Sequence, residues 1–287
     1  SYGVPHIDGP NDASVVFGLA YCQAEDYFWQ IEDSYILGLG RYSEIYGRKG
    51  LNSDLLNRAF EVVPTAKADV ATMEPAVMQL AEAFVAGLNY YLDKHPDVKP
   101  RLIDRFEPWM VLAFGRQLIL EMGFRYTRLV DDFMPRSHGE IWTAQTSSTV
   151  TQPFNQEFRE HVGSNAWALA PGRTKSKHAM LFINPHQPWF GFGQFYEAHL
   201  RSGDGWNFTG ATFFGNPMLA LGHNEHLGWA FTVNEPDIAD LWTETFDDPN
   251  NPLKYRYDGG YRTAVEWKDT VRIKRGTKFD DKTYTFR

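Results

Sequence analysis

The sequence predicts an α+β fold with helices first and strands after them, and three observations carry that prediction. Through the first 130 residues the apolar positions recur at helical spacing. From Asp131 to Val162 the chain turns polar and loses its period, and after Gly163 it breaks into short apolar runs separated by Gly, Pro and Asn. A chain of 287 residues can bury one large core or two modest ones.

The elements follow in order. Asn11 and Asp12 can cap a helix entering VVFGLAYCQAEDYFWQIED, where Val16, Leu19, Ala20, Cys22 and Ala24 make a broad apolar face. A second helix is marked by Val77, Leu80, Ala81, Phe84, Val85, Leu88 and Leu92 at the i, i+3, i+4, i+7 spacing of one buried face, and Pro96 and Pro100 stop it. A third starts near Pro108, because a first-turn proline gives up no intrahelical bond, and runs through WMVLAFGRQLILEMGF. The Thr-, Ser- and Gln-rich stretch DDFMPRSHGEIWTAQTSSTVTQPFNQEF reads as a linker or long loop. Strand candidates then come at 166–170, 179–184, 195–201, 206–212, 227–233 and 241–246, as in an antiparallel sheet core. In KYRYDGGYRTAVEWKDTVRIK an Asp-Gly-Gly turn between alternating runs predicts a hairpin.

Composition excludes some partners. The net charge of −8, with Lys and Arg dispersed, argues against nucleic acid or an anionic membrane as the main partner. No run of 18 apolar residues exists to span a membrane. The lone Cys22 excludes an internal disulfide. The aromatic share of 15% suits an apolar ligand pocket and a large core alike.

Most motifs that carry chemistry are absent: no G-x-S-x-G elbow, P-loop, H-E-x-x-H or Cys cluster. His223 and His226, with Asp237 and Asp240 downstream, offer a weak transition-metal pattern that lacks a third soft ligand. The two aspartates are hard donors that suit Ca²⁺ better, or they cap the turn begun by Pro236.

The strongest constellation is GSNAWALAPGRT at 163–174. With GVPHI, FGLAYCQAEDYFWQIE and GRYSEIYG before it, and NPHQPW, FYEAHL, GATFFGNPMLALGHN and GWAFTVNEPDIADLW after it, this stretch resembles the penicillin acylase and cephalosporin acylase group of N-terminal-nucleophile (Ntn) hydrolases. The motifs stand in that group's order over more than 200 residues. One departure is Asp26-Tyr27, where the group usually has Asp-Arg.

The resemblance implies an αββα sandwich of two stacked antiparallel sheets between helices. Residues 1–130 would be the helical α-segment walling an acyl pocket, to which Phe28, Trp29, Trp109, Phe114 and Phe124 could contribute. Residues 131–163 would hold a spacer, and 164–287 would begin the catalytic β-segment. It also implies self-cleavage of the Gly163–Ser164 bond. Ser164 would then hold its hydroxyl beside a free α-amino group, whose ordinary pKa of about 8 lets it take the hydroxyl proton near neutral pH. Gly163, lacking a side chain, would let Oγ reach the preceding carbonyl and allow a strained turn. His186, 22 residues after Ser164, stands where cephalosporin and acyl-homoserine-lactone acylases have His, and would hydrogen-bond to the Ser hydroxyl or amine.

Val233 matches the position whose backbone N–H helps form the oxyanion hole, where a fixed donor is worth roughly 3 kcal/mol. Asn165 and Asn234 lie near the same strand ends. Asp237, Ala239 (through its carbonyl) and Asp240 match a stretch that carries a structural Ca²⁺ in some relatives; no cofactor is implied for catalysis.

A second oxyanion donor, an Asn, and an Arg near the amine would lie beyond Arg287. The chain is therefore expected to be an N-terminal fragment of about half a precursor, uncleaved and silent by itself, whose partner is the remainder of its own β-segment. The expected substrate is a small N-acyl amide such as a β-lactam, an acyl-homoserine lactone or a lipopeptide, and the expected location periplasmic or secreted. Two other readings stand beside this one: a non-catalytic extracytoplasmic binding module of the same fold, and a metal-dependent hydrolase using His223, His226 and Asp237.

Overall fold

The computed structural model describes residues 2–123, 163–189, 191, 193–232 and 242–287. Strand β1 (His6–Gly9) leads into α1 (Asp12–Gly38). Asn11 caps that helix as expected: its Oδ1 accepts from the Ser14 N–H at 2.8 Å, satisfying one orphan donor of the first turn. The helix breaks once, at Tyr27, where φ −152° and ψ 62° leave the helical region. The Asp26-Tyr27 departure thus coincides with a kink, over which the Tyr27 ring meets Phe214 edge-on and Asp26 accepts from the Tyr196 hydroxyl.

Helices α2 (Tyr42–Tyr46), α3 (Leu51–Ala59), α4 (Val62–Asp69), α5 (Pro75–Lys94) and α6 (Pro108–Gly123) follow. α5 buries Ala81, Phe84, Val85 and Leu88 against α1; Val77, expected on that face, is exposed at the helix start instead.

The described strands are β2 (Gly163–Leu169), β3 (Met180–His186), β4 (Phe195–Ser202), β5 (Asn207–Phe213), β6 (Leu221–His223), β7 (Gly228–Trp229), β8 (Lys254–Tyr257), β9 (Gly260–Thr263), β10 (Trp267–Arg275) and β11 (Lys278–Phe286). One sheet has the order β1-β4-β5-β6-β7, and β2-β3, β8-β9 and β10-β11 are two-stranded ribbons. The expected antiparallel sheet needs a correction at one edge, because β1 pairs parallel with β4, His6 opposite His199. Along β4, Tyr196, Ala198 and Leu200 alternate inward and join α1, α5 and the start of α6 in one core. Chain order and mixed content make an α+β protein.

The strand expected at 227–233 is shorter than expected: pairing covers only Gly228–Trp229 and is absent from 230–232. The one expected at 241–246 does not form over 242–246. Thr245 accepts a single ladder-like bond from the Arg256 N–H, and Trp242 stands 80% exposed, so the alternating pattern has no sheet to pair with. The hairpin β8-β9 does form, around Asp258 (φ 45°) and Gly259 (φ 74°), the two positive φ angles a type I′ turn requires. The second hairpin, β10-β11, lays Val271, Ile273 and Phe286 on Leu51, Leu55 and Leu56 of α3 as a separate small core.

The linker expected at 131–162 lies outside the described residues. Among the described residues, no helix is long and apolar enough to cross a membrane.

Candidate active site

The register of the β2-β3 ribbon organises the site. Gly163 faces His186, Ser164 faces Pro185, Asn165 faces Asn184, and Trp167 faces Phe182. Side chains alternate along a strand. One face of the ribbon therefore carries Gly163, His186, Asn165 and Asn184, then the Trp167–Phe182 ring pair (centroids 4.8 Å apart), Leu169 and Met180. The other face carries Ser164, Ala166, Ala168, Pro185, Ile183 and Leu181. On that second face Leu181 lies against β7: its Cδ2 would be 2.6 Å from a Cβ placed on Gly228, so a larger residue there would have to turn the leucine aside.

Ser164 is the second residue of the strand, its Oγ donating to the Gly163 carbonyl at 2.5 Å. The hydroxyl thus lies beside the peptide bond expected to break. Gly163 has no positive φ and sits in regular ladder pairing, so the strained turn expected there does not form. Its bare Cα matters for a different reason: a Cβ at that position would lie 3.3 Å from His186 Nδ1.

His186 Nε2 lies 3.1 Å from the Asn165 amide nitrogen and 3.2 Å from that of Asn184. Among the described residues these are the bonds His186 makes, so the expected bond to the Ser164 hydroxyl is absent from the continuous chain. The physical reason is the alternation of the ribbon, which sends the two side chains to opposite faces. The site is open: Trp167 and Phe182 are each about half exposed, at 56% and 47%.

Val233, Asn234, Asp237, Ala239 and Asp240 lie outside the described residues, so neither the oxyanion position nor the calcium stretch is placed. Among the described residues, no group of three or more His, Cys, Asp or Glu could hold a metal ion. His223 and His226 are exposed, and His226 lies 3.7 Å from Glu225. Cys22 is a poor rival nucleophile. Burial, together with Glu25 and Asp26 nearby, pushes its thiol pKa up and suppresses the thiolate.

Comparison with known proteins matches this chain, over residues 1–287, to the penicillin amidase family model. It is 28% identical to an acyl-homoserine lactone acylase PvdQ of Pseudomonas fluorescens (strain Pf0-1), over 95% of this chain and 37% of that protein. It is 26% identical to the aculeacin-A acylase of Actinoplanes utahensis, over 90% of this chain and 36% of the relative. It is 24% identical to a penicillin acylase 2 proenzyme of Pseudomonas sp. (strain SE83), over 96% and 40% respectively. The chain thus spans little more than a third of the length of these relatives. The ribbon that opens on Gly163-Ser164 and the motifs around it stand inside a match running from the first residue to the last, and the chain belongs to the penicillin amidase family.

Proposed function

We propose that the full protein is an acylase that cuts its own Gly163–Ser164 bond and then uses Ser164 to hydrolyse N-acyl amides. The observation that carries this reading is Ser164 itself, whose hydroxyl donates to the Gly163 carbonyl at the head of a strand facing His186 and Pro185. That the relatives are named as acylases supports the same chemistry.

In maturation, Ser164 Oγ adds to the Gly163 carbonyl carbon and the C–N bond breaks. The hydroxyl proton passes to the departing Ser164 nitrogen, leaving an ester. Water hydrolyses that ester to a Gly163 carboxylate, a free Ser164 hydroxyl and a free amine. In turnover, that amine takes the hydroxyl proton while Oγ attacks the substrate amide carbonyl. The acyl group moves to Oγ, the amine product leaves with the proton, and water releases the acid. His186 orients the reacting groups, and the Val233 N–H takes the developing negative charge.

The remaining parts of the reading follow from family membership. Residues 1–130 form the α-segment and wall the acyl pocket, and 131–163 hold the excised spacer. From 164 onward the chain enters an αββα sandwich completed by the rest of the β-segment. The exposed apolar face of the β2-β3 ribbon, with Trp167, Leu169, Met180 and Phe182, suits burial under that remainder. The chain from 1 to 287 alone is uncleaved and silent, the whole protein works in the periplasm or outside the cell, and Asp237, Ala239 and Asp240 hold a structural Ca²⁺. A metal-dependent mechanism gains no support from the exposed His223–His226 pair.

The test is turnover by the full-length protein of a panel containing acyl-homoserine lactones, N-acyl β-lactams and an acylated peptide, read as released amine. A serine-directed sulfonyl fluoride is added in parallel. The expected result is amine release blocked by one adduct, mapped to Ser164. Amine release that persists with Ser164 fully labelled would overturn the reading.

A further inference from the structure

Building on the reading that Ser164 and His186 act together, we infer that Asn165 and Asn184 are positioning residues. They form an amide clamp on His186 Nε2 that fixes the imidazole as its Nδ1–H tautomer, with that proton over Gly163. Failure of this inference is separable from failure of the reading it builds on.

Donor and acceptor capacity fixes the tautomer. An asparagine amide nitrogen can only donate, so with one amide nitrogen 3.1 Å and another 3.2 Å away the ring nitrogen offers both its single lone pair as a shared acceptor. A neutral imidazole that accepts at Nε2 carries its proton at Nδ1. Nδ1 is the nitrogen 3.3 Å from the place a Gly163 Cβ would occupy, beside the bond that is to break.

The ribbon builds the clamp twice over. Asn184 and His186 are two apart on one strand and share its face, and Asn165 is opposite Asn184 and diagonal to His186. Asparagine is a poor strand former, yet two face each other here and turn their amides onto one ring nitrogen. The opposite arrangement, with both amides turned so that Oδ1 accepts from an Nε2–H, would leave Nδ1 as a base. The two arrangements give different spectra and respond differently to substitution.

The experiment uses the full-length precursor. With histidine labelled in ¹⁵N and Ser164→Ala holding the chain whole, the imidazole nitrogen shifts report the tautomer. The His186 signals are assigned by their loss on adding His186→Gln. An unprotonated Nε2 and a protonated Nδ1 are expected. Asn165→Asp with Asn184→Asp keeps volume but replaces two donors by acceptors, and puts a proton on Nε2.

In otherwise unaltered precursor, either single alanine variant slows self-cleavage by less than about tenfold, because the other amide remains. The double alanine variant slows it by about a hundredfold or more, the scale of a mispositioned acid–base group. Cleavage is the readout because the free α-amine, which a new carboxylate would perturb, does not yet exist. An Nε2–H tautomer in the Ser164→Ala protein, or a double alanine variant cleaving at the parent rate, overturns the inference. If Ser164→Ala itself is cleaved, the underlying reading fails instead.

Discussion

Glu32 is a fully buried carboxylate near the end of α1, and its removal gives a sharp test of what holds the helical segment together. Its Oε1 accepts from the backbone N–H groups of Arg101 (2.7 Å), Leu102 (2.8 Å) and Ile103 (3.1 Å), and its Oε2 from Arg101 Nε (3.3 Å). The Arg101 guanidinium also meets Asp33, Tyr46 and the Trp29 carbonyl, so one acid pins the α5–α6 connection to α1. Glu32→Ala orphans three N–H groups, each worth about 1–3 kcal/mol. Water entering the gap offsets part of that sum, and breaking a buried pair from one side typically costs about 3–5 kcal/mol, the loss we expect. Glu32→Gln keeps an Oε1 acceptor for the three N–H groups and loses only the charged contact to Arg101, for about 1–2 kcal/mol. The assay is urea denaturation of the full-length precursor carrying Ser164→Ala, with the shifts in midpoint compared at equal slope. A Glu32→Gln protein as weakened as Glu32→Ala would refute the reasoning, because the backbone donors would then not be the source of the stability.

Two other outcomes follow from particular groups. Asp54, fully buried on α3, accepts from the Tyr42 and Ser43 N–H groups at 2.8 and 2.7 Å and so caps α2, but burial pushes its pKa from 3.8 up to about 6. Because the folded state binds this proton more tightly than the unfolded one, the contribution is present in full below pH 3.8 and is lost as pH rises through about 6. Between pH 4 and pH 7 the stability difference between parent and Asp54→Asn should fall by about 2 kcal/mol, measured by urea unfolding at the two pH values. A difference that does not change with pH would contradict the assignment. Gly163→Ala needs no backbone change, since Gly163 has no positive φ, but its methyl would press on His186 Nδ1 from 3.3 Å. A shift of a few tenths of an ångström should slow self-cleavage by about tenfold with folding intact, read by gel time course.

What the sequence made legible were the features whose physics is local. The Asn11 cap, the Pro108 start and the Asp258-Gly259 turn depend on side chains acting on their own backbone, and each lies where expected. Helices α2 to α4 were not foreseen because none is long enough to repeat an apolar period. α2 has five residues and no cap of its own, borrowing Asp54 from α3, and α3 buries Asn52, Ser53, Asp54 and Asn57 among its leucines. β1 was invisible for another reason: four residues, paired in parallel to a strand some 190 positions away, carry no local signature. Glu32 carries no local sign of its partners, which stand some 70 positions on at 101–103.

At the site, the motifs named Gly163, Ser164 and His186, but only the ribbon register shows which face each takes. The Asn165–His186–Asn184 contact is a cross-strand diagonal that chain spacing alone does not disclose.

The most direct test of the central claim is the intact mass and N-terminal sequence of every chain in purified full-length protein, alongside Ser164→Ala. One chain should begin Ser-Asn-Ala-Trp, and the variant should remain a single uncut chain. A folded parent that stays whole, or a Ser164→Ala protein cut at the same bond, would contradict it.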